Sequence, residues 1–304
     1  MSHLVAVTGA TGFIGRHLVP TLIRRGCDVR ILARDPRRLP PPLRHPAVST
    51  VTGDLADGAA LSRLVAGADA VIHLVGIIVE RGTGTFSAVH VAGTRAVLEA
   101  ARAAGCRRFI HMSALGARPD PTATRYHRTK WEAEELVRGS GLGAAILRPA
   151  FITGPENAPL RILARLHRFS PAVPIFGDGA FPMQPVWVGD VVSAFAGALE
   201  RTTLTGTWEI AGPDTVTYAQ LVRAVGAAIG HPRPIVRVPL GAVRAAAKIF
   251  DLAPALAPIT SEQLQMLVEG SATRENAIQR VFGIEPVGFE EGVRRALVAG
   301  PAGS

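Results

Sequence analysis

Short apolar runs alternate with longer segments whose apolar residues recur every three to four positions, and this alternation fills the first half of the chain. Runs at 3–8, 28–33, 48–52, 70–75, 108–112 and 144–148 read as strands. Between them, about 13–25, 57–66, 85–104 and 125–139 read as helices. In 85–104, Val89, Ala92, Ala96, Val97 and Ala100 fall near one face at helical spacing. Strand and helix alternating through short connections predict an α/β fold, a doubly wound parallel sheet covered on both faces. The segment 34–46, RDPRRLPPPLRHP, reads as a proline-rich surface loop.

After Arg148-Pro149 the pattern changes. Proline and glycine become frequent from 149 to 185, a helix begins near Gly189-Asp190, and a strand follows at 207–211. Helices at about 217–229, 239–251 and 260–269, with a strand at 234–238, predict a smaller mixed α/β lobe. The expected division is therefore a sheet core over 1–150 and a second lobe over 151–304, with about 184–211 returning to the core. Interleaving of this kind leaves no clean linker.

Composition narrows the class. With 304 residues, 48% of them apolar, the chain has material for a sizeable core. The apolar stretch 239–258 is broken by Arg244, Lys248 and Asp251, so a spanning helix is not expected. Met1-Ser2-His3 runs straight into an apolar strand, which predicts no secretory leader. Cys27 and Cys106 match no metal or redox spacing and read as reduced structural thiols of a cytoplasmic protein; no metal site is expected. The net charge is +9, yet basic residues are scattered apart from Arg34, Arg37, Arg38 and Arg44, and aromatics make up only 5%. That balance reads as a phosphate-bearing small ligand, with no nucleic-acid partner expected.

The chemistry begins at TGATGFIG, immediately after the first strand. Gly9, Gly12 and Gly15, with Thr11, Phe13 and Ile14 between them, form a Gly-x-x-Gly-x-x-Gly variant of the dinucleotide fingerprint. Glycine there permits a tight turn and close approach of backbone to a pyrophosphate at a helix N-terminus. The second predicted strand ends at Ala33-Arg34-Asp35. Arg34, supported by Arg37 or Arg38, fits a ribose 2′-phosphate, whereas Asp35 fits the free hydroxyls; NADP(H) is favoured and NAD(H) is the alternative. Asp54 and Leu55 end the third strand, where Asp54 reads either as an adenine contact or, like Asp57, as a helix cap.

The chain holds only two tyrosines and two lysines, and Tyr126 and Lys130 stand four residues apart. On a helix that offset puts both on one face. In a chain whose basic residues are otherwise arginine, a lysine here suits what a broad guanidinium cannot do, namely approach a phenol and a ribose closely. Its charge is expected to lower the phenol pKa for acid/base work. Ser113 lies at the carboxyl end of a central strand, where open α/β sheets place their chemistry.

TGATGFIG, GDL at 53–55, HLVG at 73–76, Ser113, Tyr126-x-x-x-Lys130, RPAFITGP at 148–155 and VWVGDVV at 186–192 together resemble the short-chain dehydrogenase/reductase superfamily and its Rossmann fold, in the extended and atypical branch. HLVGIIVE, FSAVHVAGT and RFIHMSALGA are most similar to the group containing the nucleotide-binding accessory subunit of mitochondrial complex I and its bacterial relatives. The resemblance implies that Tyr126 is the general acid/base, that Lys130 holds the nicotinamide ribose, and that Ser113 hydrogen-bonds the substrate. It implies that Gly76 lines the cofactor, that Pro149 and Phe151 pass near the nicotinamide, and that Arg148 is an ion-pair partner. His90 departs from the family's usual asparagine. The implied pocket draws on 114–124, 150–187 and the C-terminal lobe; Phe151, Phe176, Phe181 and Trp187 read equally as its walls or as core.

The expected activity is NAD(P)-dependent hydride transfer on a small apolar carbonyl or alcohol. The alternatives are an accessory protein with a structural nucleotide and an epimerase/dehydratase. Peripheral association with a membrane or a protein complex follows from the same resemblance.

Overall fold

A computed structural model describes residues 3–251 and 259–298; the end of the apolar stretch, 252–258, lies outside them. The chain opens with β1 (His3–Thr8), α1 (Phe13–Arg24), β2 (Cys27–Ala33), β3 (Val48–Thr52), α2 (Gly58–Val65) and β4 (Ala70–His73). It continues through α3 (Gly93–Ala103), β5 (Arg108–Met112), α4 (Arg125–Arg138) and β6 (Gly143–Pro149). There follow β7 (Ile152–Thr153), α5 (Ala158–Phe169), β8 (Val173–Phe176), β9 (Pro182–Met183), β10 (Val186–Trp187), α6 (Val188–Glu200) and β11 (Gly206–Ile210). The last elements are β12 (Val216–Thr217), α7 (Tyr218–Ala228), β13 (Ile235–Val238), α8 (Leu240–Phe250), α9 (Ser261–Glu269) and α10 (Phe289–Val298). Two compact units result, Met1–Arg148 with Val191–Glu209, and Pro149–Asp190 with Ile210–Ser304.

The first unit is built on a seven-stranded sheet in the order β11-β6-β5-β4-β1-β2-β3. The pairings from β3 through β6 are parallel. Strand order reverses between β1 and β4, so their carboxyl ends form the switch point at which such sheets bind ligands. Phe109, Val71, Leu61, Leu64, Val97 and Ile146 belong to one core cluster. Arg108, buried at the start of β5, donates to the carbonyls of Ala198 (2.5 Å), Leu204 (2.8 Å) and Gly143 (2.9 Å), tying the end of α6 to the sheet.

One helix differs from its sequence pattern. The expected helix at 85–104 opens with a π-helical turn, Ser87–Ala92, before α3. The inward face is then His90, Gly93, Thr94, Val97, Leu98 and Ala101, one step round from the alanine-and-valine face read from periodicity. His90 and Thr94 tolerate burial because both find side-chain partners there.

In the second unit α5, α7 and α10 pack with β8 around Leu160, Leu163, Val173, Leu221, Val222 and Val293. Phe151, Phe176, Phe181 and Trp187 pack against this same core. Three two-stranded ribbons, β10-β7, β12-β9 and β13-β8, complete it. The proline-rich stretch after 149 hides a helix: Pro159 sits in the first turn of α5, where no intrahelical acceptor is lost, and Asn157 caps it by accepting from Leu160 N at 2.8 Å.

Candidate active site

At the switch point, Gly9 adopts φ +77°, a left-handed conformation that favours glycine. A Cβ there would lie 3.0–3.1 Å from the Leu74–Val75 backbone, so the turn after β1 presses on the chain leaving β4. Gly12 N donates to Gly9 O at 3.0 Å and Gly12 opens α1, while a Cβ on Gly15 would overlap the Ala10 backbone. The first-turn amides of Phe13, Ile14 and Gly15 need acceptors from outside the helix, and no acidic residue occupies that turn. Thr11 contributes its carbonyl to Arg16 Nε at 2.9 Å. This glycine-lined helix N-terminus fits a pyrophosphate.

Beyond β2, Arg34 is exposed. Asp35 caps a short 3₁₀ turn instead of reaching outward: its carboxylate accepts from Arg37 N (3.1 Å) and Arg37 Nε (3.2 Å). Arg37 is thus engaged by Asp35. Asp54 closes a local turn by accepting from Ala56 N at 2.8 Å, while Asp57 caps α2 by accepting from Ala60 N at 2.9 Å. Leu55 packs against the first unit's core, and a Cβ on Gly93 would meet its side chain at 2.6 Å.

Tyr126, Lys130 and Glu134 succeed one another at steps of four and all face inward from α4. The Lys130 ammonium donates to Met112 O at 3.0 Å and lies so close to Gly76 that a Cβ there would stand 2.9 Å from Nζ. One turn later, Glu134 accepts from Ser113 Oγ at 2.5 Å. Consecutive turns of α4 therefore hold consecutive residues at the end of β5. Glu134 also takes a two-pronged bond from Arg148, 2.7 Å to each oxygen, and one from Arg138. A carboxylate so engaged leaves Ser113 as the donor of the pair. The ring of Trp131 lies beneath the guanidinium groups of both arginines, at 4.6 and 5.6 Å.

Burial governs titration here. The Lys130 pKa falls to about 8 because desolvation outweighs the pull of Glu134. Tyr126 moves the other way, pushed up to about 12 by burial. The expectation that Lys130 would lower the phenol pKa is therefore corrected. In this arrangement the ammonium serves Met112 O, and desolvation of the phenolate dominates.

Three buried imidazoles surround the lysine's charge. His73 bridges Thr8 Oγ1 (2.6 Å) and Thr94 Oγ1 (3.1 Å), stacks on His111 at 5.5 Å, and is held neutral, its pKa lowered to about 3 by burial and then by Lys130. Both ring nitrogens of His111 lack a hydrogen-bond partner among the described residues, and burial likewise drives its pKa well below the usual histidine range. His90 lies edge-on to Tyr126 with centroids 5.4 Å apart, its pKa lowered to about 2 by burial and by Lys130. Its Nδ1 is 2.9 Å from Thr129 Oγ1, which itself donates to main-chain carbonyls. Thr129 thus accepts from Nδ1–H, leaving Nε2 to accept from Ile77 N at 3.1 Å.

The fold gathers Gly9, Gly76, Ser113, Tyr126 and Lys130 into the first unit around the ends of β1, β4 and β5, whereas Phe151 belongs to the second unit, where its N–H donates to Ser271 Oγ at 3.1 Å. Pro149 closes β6. Arg148 is the ion-pair partner expected. Glu134, Thr94, Thr129 and the roles of His73 and His111 escape sequence reasoning. For Glu134 a signal exists, one more four-residue step beyond Lys130.

Residues 9–173 match the model of an NAD(P)H-binding family. The chain is 36% identical over 251 residues to a ceramide reductase of Caulobacter vibrioides, covering 82% of the chain and 77% of that relative. It is 30% identical over 295 residues to NADH dehydrogenase [ubiquinone] 1 alpha subcomplex subunit 9 of Arabidopsis thaliana, covering 92% and 73%. A 3-beta-hydroxysteroid dehydrogenase of Mycolicibacterium neoaurum is 28% identical, with 77% and 72% covered. Among solved structures, the UDP-glucose 4-epimerase of Thermus thermophilus in complex with NAD aligns with a TM-score of 0.74 over 96% of the chain and 97% of its own, at 23% identity, a likeness of fold.

Proposed function

The chain belongs to the NAD(P)H-binding family, and from that premise we propose that it is a hydride-transfer oxidoreductase with Tyr126 as its acid/base, acting on an apolar, lipid-like carbonyl or alcohol. The observation that carries the reading is Tyr126 and Lys130 buried on one face of α4, with the ammonium against Gly76 at the switch point. The ceramide reductase and hydroxysteroid dehydrogenase relatives support the substrate class. The glycine turn at Gly9, Gly12 and Gly15 and the amides of Phe13 and Ile14 would hold the pyrophosphate, and Lys130 the ribose beside Gly76. Arg34 would read a 2′-phosphate, favouring NADP(H), since Asp35 is engaged by Arg37. Once bound, the nicotinamide supplies or accepts the hydride.

In reduction, Tyr126 gives its phenolic proton to the carbonyl oxygen as that oxygen gains charge. A phenol with a pKa near 12 is fully protonated at neutral pH and so ready to donate. Ser113, its own proton held by Glu134, presents lone pairs and orients the hydroxyl form of the substrate. The neutral imidazoles keep positive charge concentrated on Lys130.

Carbonyl-dependent NADPH oxidation tests this. Tyr126→Phe is expected to lose about 10²- to 10⁴-fold in turnover while NADPH affinity changes little; retained turnover would show that another group moves the proton. Arg34→Ala is expected to lose roughly tenfold in preference for NADP(H), measured at one fixed salt concentration.

A second reading, an accessory protein that keeps NADP(H) without turnover, is favoured by the Arabidopsis relative. Cofactor exchange separates the two, because an enzyme releases its nucleotide readily. For location, the reading is a cytoplasmic protein at the inner face of a membrane. Among the described residues no helix is long and apolar enough to cross one.

A further inference from the structure

Two stretches of the second unit, residues 158–177 and 229–250, contain no aspartate or glutamate. They build α5, β8, β13 and α8. These elements are joined into one piece. α5 runs into β8, β8 pairs with β13, Arg233 Nε donates to His167 O at 3.1 Å, and β13 runs into α8, which packs on Phe176 and Val238.

The solvent face of α5 is unlike that of an ordinary surface helix. At 100° per residue, Arg161, Ile162, Arg165, Arg168 and Phe169 fall within an arc of about 120°, opposite the buried Leu160, Leu163 and His167. All five are exposed, Phe169 by 78% and Ile162 by 52%. α8 repeats the chemistry, with Arg244 and Lys248 beside Ile249, which is 69% exposed. On β13, Val236 is 52% exposed and in register with the exposed Pro174, while Arg237 is exposed on the opposite side of the strand. Among the described residues none of these arginines, nor Lys248, is ion-paired to a carboxylate. Unpaired cations interleaved with exposed Ile, Val and Phe suit a partner that is both anionic and apolar.

We propose that this face of the second unit docks on an anionic phospholipid bilayer. Arginine and lysine meet the lipid phosphates, while Phe169, Ile162 and Ile249 enter the headgroup–acyl boundary. Nucleic acid would satisfy the cations and could stack on Phe169, but it would leave the aliphatic Ile162 and Ile249 without a partner. A second copy of the chain would bring like charge against like. The proposal is independent of the hydride-transfer reading.

Co-sedimentation of the whole protein with vesicles tests it. Vesicles containing about one-third phosphatidylglycerol are expected to bind the protein and pure phosphatidylcholine vesicles are not, with binding weakened by salt. The exposed triple change Arg161→Glu, Arg165→Glu, Arg168→Glu is expected to weaken binding by at least a hundredfold or so. Phe169→Ser, which keeps every charge, is expected to weaken it several-fold. NADPH binding, retained in both, confirms that the variants are folded. Absence of binding to phosphatidylglycerol vesicles, or binding unchanged by the triple reversal, overturns the proposal. So does vesicle binding indifferent to Phe169→Ser together with RNA binding of equal strength, which would assign the face to nucleic acid.

Discussion

The two units bury polar side chains in different ways. In the second unit such groups bond to the main chain: Gln184 spans Thr273 N and Gly212 O at 2.9 Å each, Asp190 accepts from Val287 N at 2.8 Å, and His167 meets Val222 O at 2.9 Å. In the first, Arg108 and Lys130 likewise bond to main chain, but the groups around the switch point also bond to one another, through Ser113–Glu134–Arg148, Thr8–His73–Thr94 and His90–Thr129. A side chain bonded to backbone stitches loops and is replaceable by any group with the same acceptor. Side chains bonded to each other in a dry interior fix charge and proton positions, and they fail together. The difference separates a polar interior that holds shape from one arranged for chemistry.

The strongest way to break the comparison is Glu134→Ala. It strips a buried carboxylate from two arginines and is expected to cost about 3–5 kcal/mol in urea unfolding, because Arg148 loses its two-pronged bond and keeps the more distant Glu209, at 3.6 Å. A cost below about 1 kcal/mol would mean that the network is not a unit.

Lys130→Met sharpens the contrast through pH. The folded Lys130 pKa of about 8 lies below the free value of 10.5. Between these two pH values the unfolded chain holds a proton that the folded chain has released, so the parent gains stability as pH rises. Below pH 8 both states hold the proton and the difference is flat. The parent is therefore expected to gain roughly 3 kcal/mol relative to Lys130→Met between pH 8 and pH 10.5. A difference constant across that window would show that the lysine titrates normally. The smallest effect is expected in the second unit. Asp190→Ala leaves Val287 N without its acceptor, at about 1–3 kcal/mol, whereas Asp190→Asn, which keeps a carbonyl oxygen, is expected to recover most of that loss with NADPH affinity unchanged.

Much of this is legible from local pattern. The strands read from the sequence match β1 through β6 to within about two residues, because central strands are rich in apolar residues and the edge strand β3, VSTVT, is rich in β-branched ones wherever they lie. Gly9, Gly12 and Gly15 declare a turn through the local spacing of the motif, and the step from Tyr126 to Lys130 declares a shared helix face in the same way. α5 escapes the pattern because prolines read as breakers, although Pro159 stands where a helix tolerates one.

What only the tertiary structure decided is non-local. His73 and His111 stack because β4 and β5 pair in the register that sets them side by side. His90 and Thr94 are buried because Thr129 and His73, far along the chain, come within hydrogen-bond reach of them. The Tyr126 shift runs opposite to the direction read from the sequence, which gives the spacing of a lysine and a phenol but not how much water each has lost. The sequence by itself determined which groups are present and which local elements carry them. Register, rotation and burial then decided which groups meet and which protonation state each keeps, because hydrogen bonding and desolvation depend on neighbours far away along the chain.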